Sequence, residues 1–234
     1  MAKFELRLIE VINETHDTKT FRFSLENARM DLLPGHFIMI NKMLDGKLVR
    51  RAYSISSSPL EKRFIDLTIK RVENGVFSNY MFDNAQAGDI FGIDGPYGKF
   101  VYKDSDDDVL LLGAGCGAAP LRAILKYILE KKLDINVILL HSCRTPDDLL
   151  FRDELLKLEK ENKNFRYAAT LTRVKGDEWK GCIGWISREM VEENVKNKDN
   201  TLFFVSGHVK FGNAMMEVLD ELGVDKGKVK EEVF

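Results

Sequence analysis

Polar and apolar residues alternate from the start of the chain. Phe4, Leu6 and Leu8 are interleaved with Glu5 and Arg7, and Phe21, Phe23 and Leu25 with Arg22 and Ser24. A period of two belongs to a strand with one buried face, so two strands open the chain. Further short runs at Phe37 to Ile40, Leu48 to Ile55, Phe64 to Lys70 and Ile90 to Ile93 are divided by Pro34-Gly35, Asp45-Gly46, Ser58-Pro59 and Ala87-Gly88. Those pairs are turn signals. A series of about six short strands predicts a small antiparallel barrel, which leaves no long unpaired edge and offers a flat ligand a place at its mouth.

The pattern then changes. Val109 to Leu112 is an unbroken apolar run, too short for a helix, that leads into Gly113-Ala114-Gly115-Cys116-Gly117-Ala118-Ala119-Pro120. Leu121, Ile124, Leu125, Ile128 and Leu129 follow at helical spacing. This is a buried strand, a bare turn and a helix. Apolar runs recur at Asn136 to Leu140, Phe165 to Ala169 and Thr201 to Val205; Phe211, Met215, Val218, Leu219 and Leu222 mark a last helix, and Lys230 to Phe234 a last strand. Strands alternating with helices predict a parallel sheet. The acidic stretch Asp104-Ser105-Asp106-Asp107-Asp108 separates the two patterns and reads as a solvated connector, since no matching ligand set for calcium follows it. The expected architecture is therefore two domains: residues 1–102 as an antiparallel β-barrel and residues 103–234 as an α/β domain.

The 234 residues carry a net charge of -2, with acids and bases interspersed, which removes any electrostatic case for a nucleic-acid partner. The first residues form neither a signal peptide nor a membrane span, so a soluble, cytoplasmic protein without membrane contact is expected. Cys116, Cys143 and Cys182 are widely spaced and odd in number. They form neither a disulfide framework nor an iron-sulfur or zinc pattern, so reduced thiols and no protein-bound metal are expected. His16, His36, His141 and His208 are scattered and read as polar surface or strand-end residues.

The glycine corner carries the chemistry. Glycines let the backbone take positive φ and let a ligand come close, while a helix start presents unpaired N–H groups and partial positive charge. Such a corner suits a phosphate, although tight packing alone also explains glycines at a turn. The ordinary dinucleotide fingerprint fits badly, because its third glycine falls at Ala118 and no acid follows the next strand, where His141-Ser142-Cys143-Arg144 stands instead. Arg144, with Arg173 as a second clamp, suits the 2′-phosphate of NADPH better than the free hydroxyl of NADH. In the first half, Arg51-Ala52-Tyr53-Ser54 sets a guanidinium and an aromatic ring on one strand face. An arginine pairs with phosphate and a tyrosine stacks on a flat ring. Gly75-Val76-Phe77-Ser78 is a second glycine turn that frees N–H groups for phosphate oxygens.

The pattern Gly-x-Gly-x-Gly-x-x-Pro at 113–120 resembles the nicotinamide-nucleotide loop of the ferredoxin-NADP reductase family. Arg51-Ala52-Tyr53-Ser54 resembles that family's flavin motif, and Gly75 to Ser78 its partner on the flavin pyrophosphate. Leu33-Pro34-Gly35-His36-Phe37, Gly95-Pro96-Tyr97-Gly98-Lys99-Phe100, His141 to Leu156 and Trp179-Lys180-Gly181-Cys182-Ile183-Gly184 are similar to family segments in the same order, so the resemblance spans essentially the whole chain. It implies a flavoprotein oxidoreductase, without a fused iron-sulfur domain, that moves a hydride from NAD(P)H to FAD and passes electrons to a carrier such as ferredoxin, flavodoxin or a hydroxylase component. The alternatives are an NAD(P)H:flavin reductase and a non-catalytic electron-transfer or nucleotide-sensing subunit.

The resemblance assigns Arg51, Ala52, Tyr53, Ser54, Ile69, Gly75, Val76 and Ser78 to the flavin. Tyr53 stacks on the isoalloxazine, Ser54 approaches its N5, and Arg51 with Ser78 holds a pyrophosphate, which favours FAD over FMN. Gly113, Gly115, Cys116, Gly117, Pro120, Arg144, Arg173 and Gly207 fall to the nicotinamide nucleotide. Ser54, Ser206, Glu232 and Phe234 are the candidate catalytic residues. Ser206-Gly207-His208 stands where many family members have Cys-Gly-Pro, so a hydroxyl replaces the thiol beside the nicotinamide. Glu232-Val233-Phe234 resembles the Glu-x-aromatic terminus of plant-type reductases, in which the ring covers the flavin until nicotinamide displaces it.

Overall fold

The computed structural model describes residues 2–174 and 179–234. The chain divides into two compact units. The first runs up to Lys103 and also takes in Arg122–Glu130; the second holds Asp104–Leu121 and Lys131–Phe234.

The first unit contains the strands β1 (Ala2–Thr15), β2 (Thr18–Ser24), β3 (Phe37–Leu44), β4 (Lys47–Ser54), β5 (Phe64–Lys70) and β6 (Ile90–Tyr97), with the helix α1 (Val76–Asp83) and the helical stretch Arg122–Glu130. They lie in the order β4-β3-β6-β1-β2-β5, and every neighbouring pair is antiparallel. An antiparallel bridge from Ile55 to Leu67 ties the two ends of that order together, so the sheet curls into the expected barrel. Leu6, Leu8, Phe21, Phe23, Ile38, Ile40, Ile65, Leu67, Phe91 and Ile93 fill it, which is the inward half of the alternation. α1 adds Phe77 and Met81 to this core, four residues apart and so on one helical face. Each such buried side chain contributes roughly 1.5–3 kcal/mol.

β1 is longer than its alternation predicts. Leu8 pairs with Phe23 but Glu10 pairs with Arg22, so an extra residue stands between them. That bulge turns Ile9 outward and lets the strand continue to Thr15. The barrel also buries the Asp66 carboxylate, held by Arg22 through two bonds of 2.8 and 3.1 Å. Arg122 stands 3.6 Å from the same carboxylate and donates to the Ser56 carbonyl at 2.9 Å. With Tyr127 set edge-on to Tyr102, these contacts explain why Arg122–Glu130 belongs to the first unit, which a boundary at residue 102 does not anticipate.

The second part of the chain contains β7 (Asp108–Ala114), α2 (Ala118–Lys131), whose residues Arg122–Glu130 count with the first unit, β8 (Val137–Cys143), α3 (Arg152–Glu161), β9 (Phe165–Leu171), β10 (Cys182–Ile183), α4 (Arg188–Asn194), β11 (Thr201–Gly207), α5 (Val209–Glu221) and β12 (Val229–Val233). All neighbours in the order β10-β9-β8-β7-β11-β12 are parallel. Val109 to Leu112 is buried throughout, as a strand covered on both faces requires. The chain begins in the middle of this sheet at β7, works outward to β10 and returns to β11. The direction of travel therefore reverses between β7 and β11, and ligands of such sheets bind beyond the carboxyl ends of the strands at that point. The acidic connector is anchored: Asp104 pairs with Lys131, Asp107 with Lys228 at 2.9 Å, and Asp108 accepts from both the backbone and the side-chain nitrogen of Asn136. Among the described residues, no helix is long and apolar enough to cross a membrane.

Candidate cofactor sites

In the first unit the register of β3 and β4 places Tyr53 opposite Ile38 and Arg51 opposite Ile40, so guanidinium and ring share one sheet face. Tyr53 is half-buried and leans on the barrel core, its ring 6.1 Å from that of Phe77. Arg51 and Ala52 are exposed and Ser54 is half-buried. Arg51 donates to the Arg50 carbonyl at 2.7 Å, while Arg50 itself pairs with Asp94 on the opposite face. Phe77 belongs to α1, so the ring contact brings the start of that helix to the strand.

Gly75 is the N-cap of α1. No side chain caps the helix and no acid stands in its first turn, so its first N–H groups and the positive end of its dipole face outward unneutralised. A Cβ on Gly75 would come within 2.4 Å of the Ser78 hydroxyl. That hydroxyl is buried and committed locally, accepting from the Val72 N–H at 3.2 Å and donating to the Gly75 carbonyl at 3.4 Å. Ser78 therefore braces the turn with its side chain and has its backbone N–H to offer an anion. Val76 is exposed at the first helical position. The Ile69 side chain is 1% exposed within the core, so only its backbone is available to a ligand.

In the second unit β7 passes through a single 3-10 turn, Gly115–Gly117, directly into α2. Gly115 has φ +52, in the left-handed region. Gly117 lies against the end of β11, where a Cβ would fall 2.1 Å from the Ser206 carbonyl oxygen and 2.9 Å from Gly207 Cα. Pro120 is buried in the first turn of α2, which carries no acid there. Cys116 is half-buried between the two glycines.

Strand register lines up Ala169, His141, Gly113, Ser206 and Glu232 in one row across the sheet. Ser206 is wholly buried, and its hydroxyl has no hydrogen-bond partner among the described residues. A buried orphan hydroxyl under a close-packed glycine turn fits a polar ligand at this corner. Glu232 is half-buried beside it. Phe234 donates its backbone N–H to the Gly207 carbonyl at 3.1 Å, while its ring is 58% exposed.

Arg144 and Arg173 are both exposed, and the Arg173 N–H donates to the Arg144 carbonyl at 2.7 Å, so the two guanidinium chains start from adjacent strand ends. Of the two acids that follow, Asp147 and Asp148, the second is occupied by Thr145 in a capping box.

His141 sits near the end of β8, as its strand-end reading has it, but inside the protein and not at the surface. It is 0% exposed, and burial holds its ring at about 4, well below the usual histidine range. In sequence a lone histidine after an apolar run signals exit from the core; its contacts with Gly115 and Tyr167, on other elements, are what reveal that it stays inside.

Residues 5–102 match the family description of the oxidoreductase FAD-binding domain, and residues 111–217 that of the oxidoreductase NAD-binding domain. The glycine betaine monooxygenase reductase subunit of Chromohalobacter salexigens is 31% identical over 100% of this chain and 64% of its own length. The chain thus spans less than two thirds of that relative. NADH-cytochrome b5 reductase 1 of Dictyostelium discoideum is 30% identical over 97% of this chain and 80% of its own. The flavohem-like FAD/NAD binding domain of nitric oxide dioxygenase from Vibrio cholerae superposes with a TM-score of 0.88 at 25% identity, covering 98% of both chains.

Proposed function

Because the chain belongs to the ferredoxin-NADP reductase family of FAD- and NAD-binding oxidoreductases, we propose that it moves a hydride from NAD(P)H to FAD and delivers electrons to a carrier protein. The observation that carries this reading is that one chain holds both an uncapped helix start beside Tyr53, whose strand face also carries Arg51, and a close-packed glycine corner over an orphan hydroxyl. The chemistry bound FAD supplies is acceptance of a hydride and release of electrons one at a time.

The residues bind and orient. Tyr53 presents a plane for the flavin ring, Ser54 a hydroxyl for its edge, and Arg51 with the first N–H groups of α1 a clamp for its pyrophosphate. The Gly113–Gly117 loop and the start of α2 hold the phosphates of the coenzyme, with Cys116, Pro120 and Gly207 shaping the corner. Arg144 and Arg173 take a 2′-phosphate, which favours NADPH. Ser206 and Glu232 line the nicotinamide end, with Phe234 held beside them through its bond to the Gly207 carbonyl. We place the division between flavin and nucleotide domains after residue 102 and the protein in the cytoplasm. The acceptor we favour is the oxygenase or ferredoxin class of partner, in keeping with the monooxygenase reductase subunits among the relatives.

The test is whether the purified protein carries an equivalent of FAD and reduces a one-electron acceptor such as ferricyanide at the expense of NADPH or NADH. Protein that holds FAD and reduces nothing with either coenzyme overturns the reading.

A further inference from the structure

The buried ring of His141 makes three polar contacts. Its Nε2 lies 3.0 Å from the Gly115 carbonyl oxygen, its Nδ1 3.5 Å from the Tyr167 hydroxyl, and the Cys143 thiol approaches Nε2 at 3.3 Å while also reaching the Asp148 carbonyl. A carbonyl only accepts, so Nε2 carries the proton of the neutral ring and Nδ1 is left as an acceptor for the Tyr167 O–H. The donors then run in one direction, from Tyr167 to His141 to Gly115.

The position of Gly115 needs such a tether. A Cβ placed there meets nothing within 4 Å, so nothing packs against that face of the residue, whereas Gly117 at the other end of the turn is pressed against Ser206. The Ala118 N–H also reaches the Gly115 carbonyl, but that bond lies within the loop and moves with it. Among the described residues, it is the His141 bond that fastens the carbonyl to the sheet. The Gly115 C=O and the Cys116 N–H belong to one planar trans peptide and point in opposite directions. Holding the carbonyl inward on His141 therefore aims the Cys116 N–H outward.

We propose that His141, kept in one tautomer by Tyr167, is a positioning residue that orients the Gly115–Cys116 peptide so that its N–H meets the phosphates of the nicotinamide coenzyme. This rests on the reading of the Gly113–Pro120 corner as the coenzyme site. His141 touches the loop and not the coenzyme, so it acts on binding and leaves the flavin half alone.

The experiment titrates FAD-loaded wild type, His141→Leu, His141→Gln and Tyr167→Phe with NADP⁺ and NAD⁺ by calorimetry, and records the histidine ring nitrogens by 15N NMR. His141→Leu should bind the preferred coenzyme roughly tenfold more weakly, as expected for one lost hydrogen bond, with FAD content unchanged. His141→Gln retains an N–H donor and should stay within about threefold of wild type. Wild type should show a protonated Nε2 and bare Nδ1, and Tyr167→Phe should raise the Nδ1–H form and weaken binding. The KM should rise with kcat little altered. Equal binding by His141→Leu and wild type, equal losses in His141→Gln and His141→Leu, or a wild-type ring protonated at Nδ1 would each overturn the proposal. Should His141→Leu fail to load FAD, the Gln and Phe variants decide by the same criteria. Wild type that binds neither coenzyme removes the reading of the corner itself, and the proposal with it.

Discussion

Gly117→Ala separates a coenzyme loop from a mere turn. The added Cβ would lie 2.1 Å from the Ser206 carbonyl oxygen, where ordinary contact begins at 3.4 Å. The loop and strand must therefore part by roughly 1.3 Å, as overpacked backbone requires. β11 cannot give way, because Ser206 is paired to Gly113 on one side and Glu232 on the other. The loop moves instead. A displacement of about 1 Å in a positioning element costs on the order of 100-fold in rate, and overpacking costs about 1–3 kcal/mol of stability. Gly115→Ala is the internal control. It has open space but φ +52, which costs a non-glycine residue about 1–2 kcal/mol. The assay is anaerobic rapid mixing with NADPH or NADH, following loss of flavin absorption, with FAD content and thermal midpoint measured on the same samples. Gly117→Ala should reduce flavin roughly 100-fold more slowly with FAD content intact, and Gly115→Ala should be milder. Gly117→Ala within threefold of wild type, or Gly115→Ala the more damaging, would refute the reasoning.

Arg51→Ala should lose FAD on gel filtration, and Tyr53→Ala should lose stacking area plus about 0.5–1.5 kcal/mol of ring preference; retention equal to wild type in both would contradict the flavin assignment. Arg144→Ala should raise the KM for NADPH much more than for NADH, and equal effects would count against the phosphate clamp. His141 should make stability depend on pH, because its folded value is about 4 against 6.5 for the free side chain. Between those values the unfolded chain takes up a proton that the folded one refuses, so stability is complete above about 6.5 and is lost as pH falls towards 4. The loss is about 3 kcal/mol at 1.36 kcal/mol per unit. Denaturant curves of wild type and His141→Gln should converge or cross by that amount over this range, and a constant difference would show that the ring is not buried neutral.

Both sheets are legible in the sequence because burial on one face writes a period of two and burial on both writes an unbroken apolar run. The pattern fails where structure depends on a neighbour rather than on the segment. Alternation stops at Leu8 because a bulge turns Ile9 outward, and nothing local says that the strand resumes. The two residues of β10 are too few to carry a period. Arg122–Glu130 reads as a continuous helix, and only the carboxylate of Asp66 and the ring of Tyr102 reveal that it packs with the first unit. At the sites, residue type announced glycine corners and arginines but not hydrogen-bond commitments. Ser78 spends its hydroxyl on its own turn, Ile69 its side chain on the core, and His141 lies inside the protein.

The central claim is hydride transfer from a nicotinamide coenzyme to FAD on this chain. Its most direct test is anaerobic mixing of the FAD-loaded protein with an equivalent of NADPH, and separately of NADH. The account predicts that the flavin bleaches with at least one of them as the oxidised coenzyme appears in matching amount. A flavin that stays oxidised with both would contradict it.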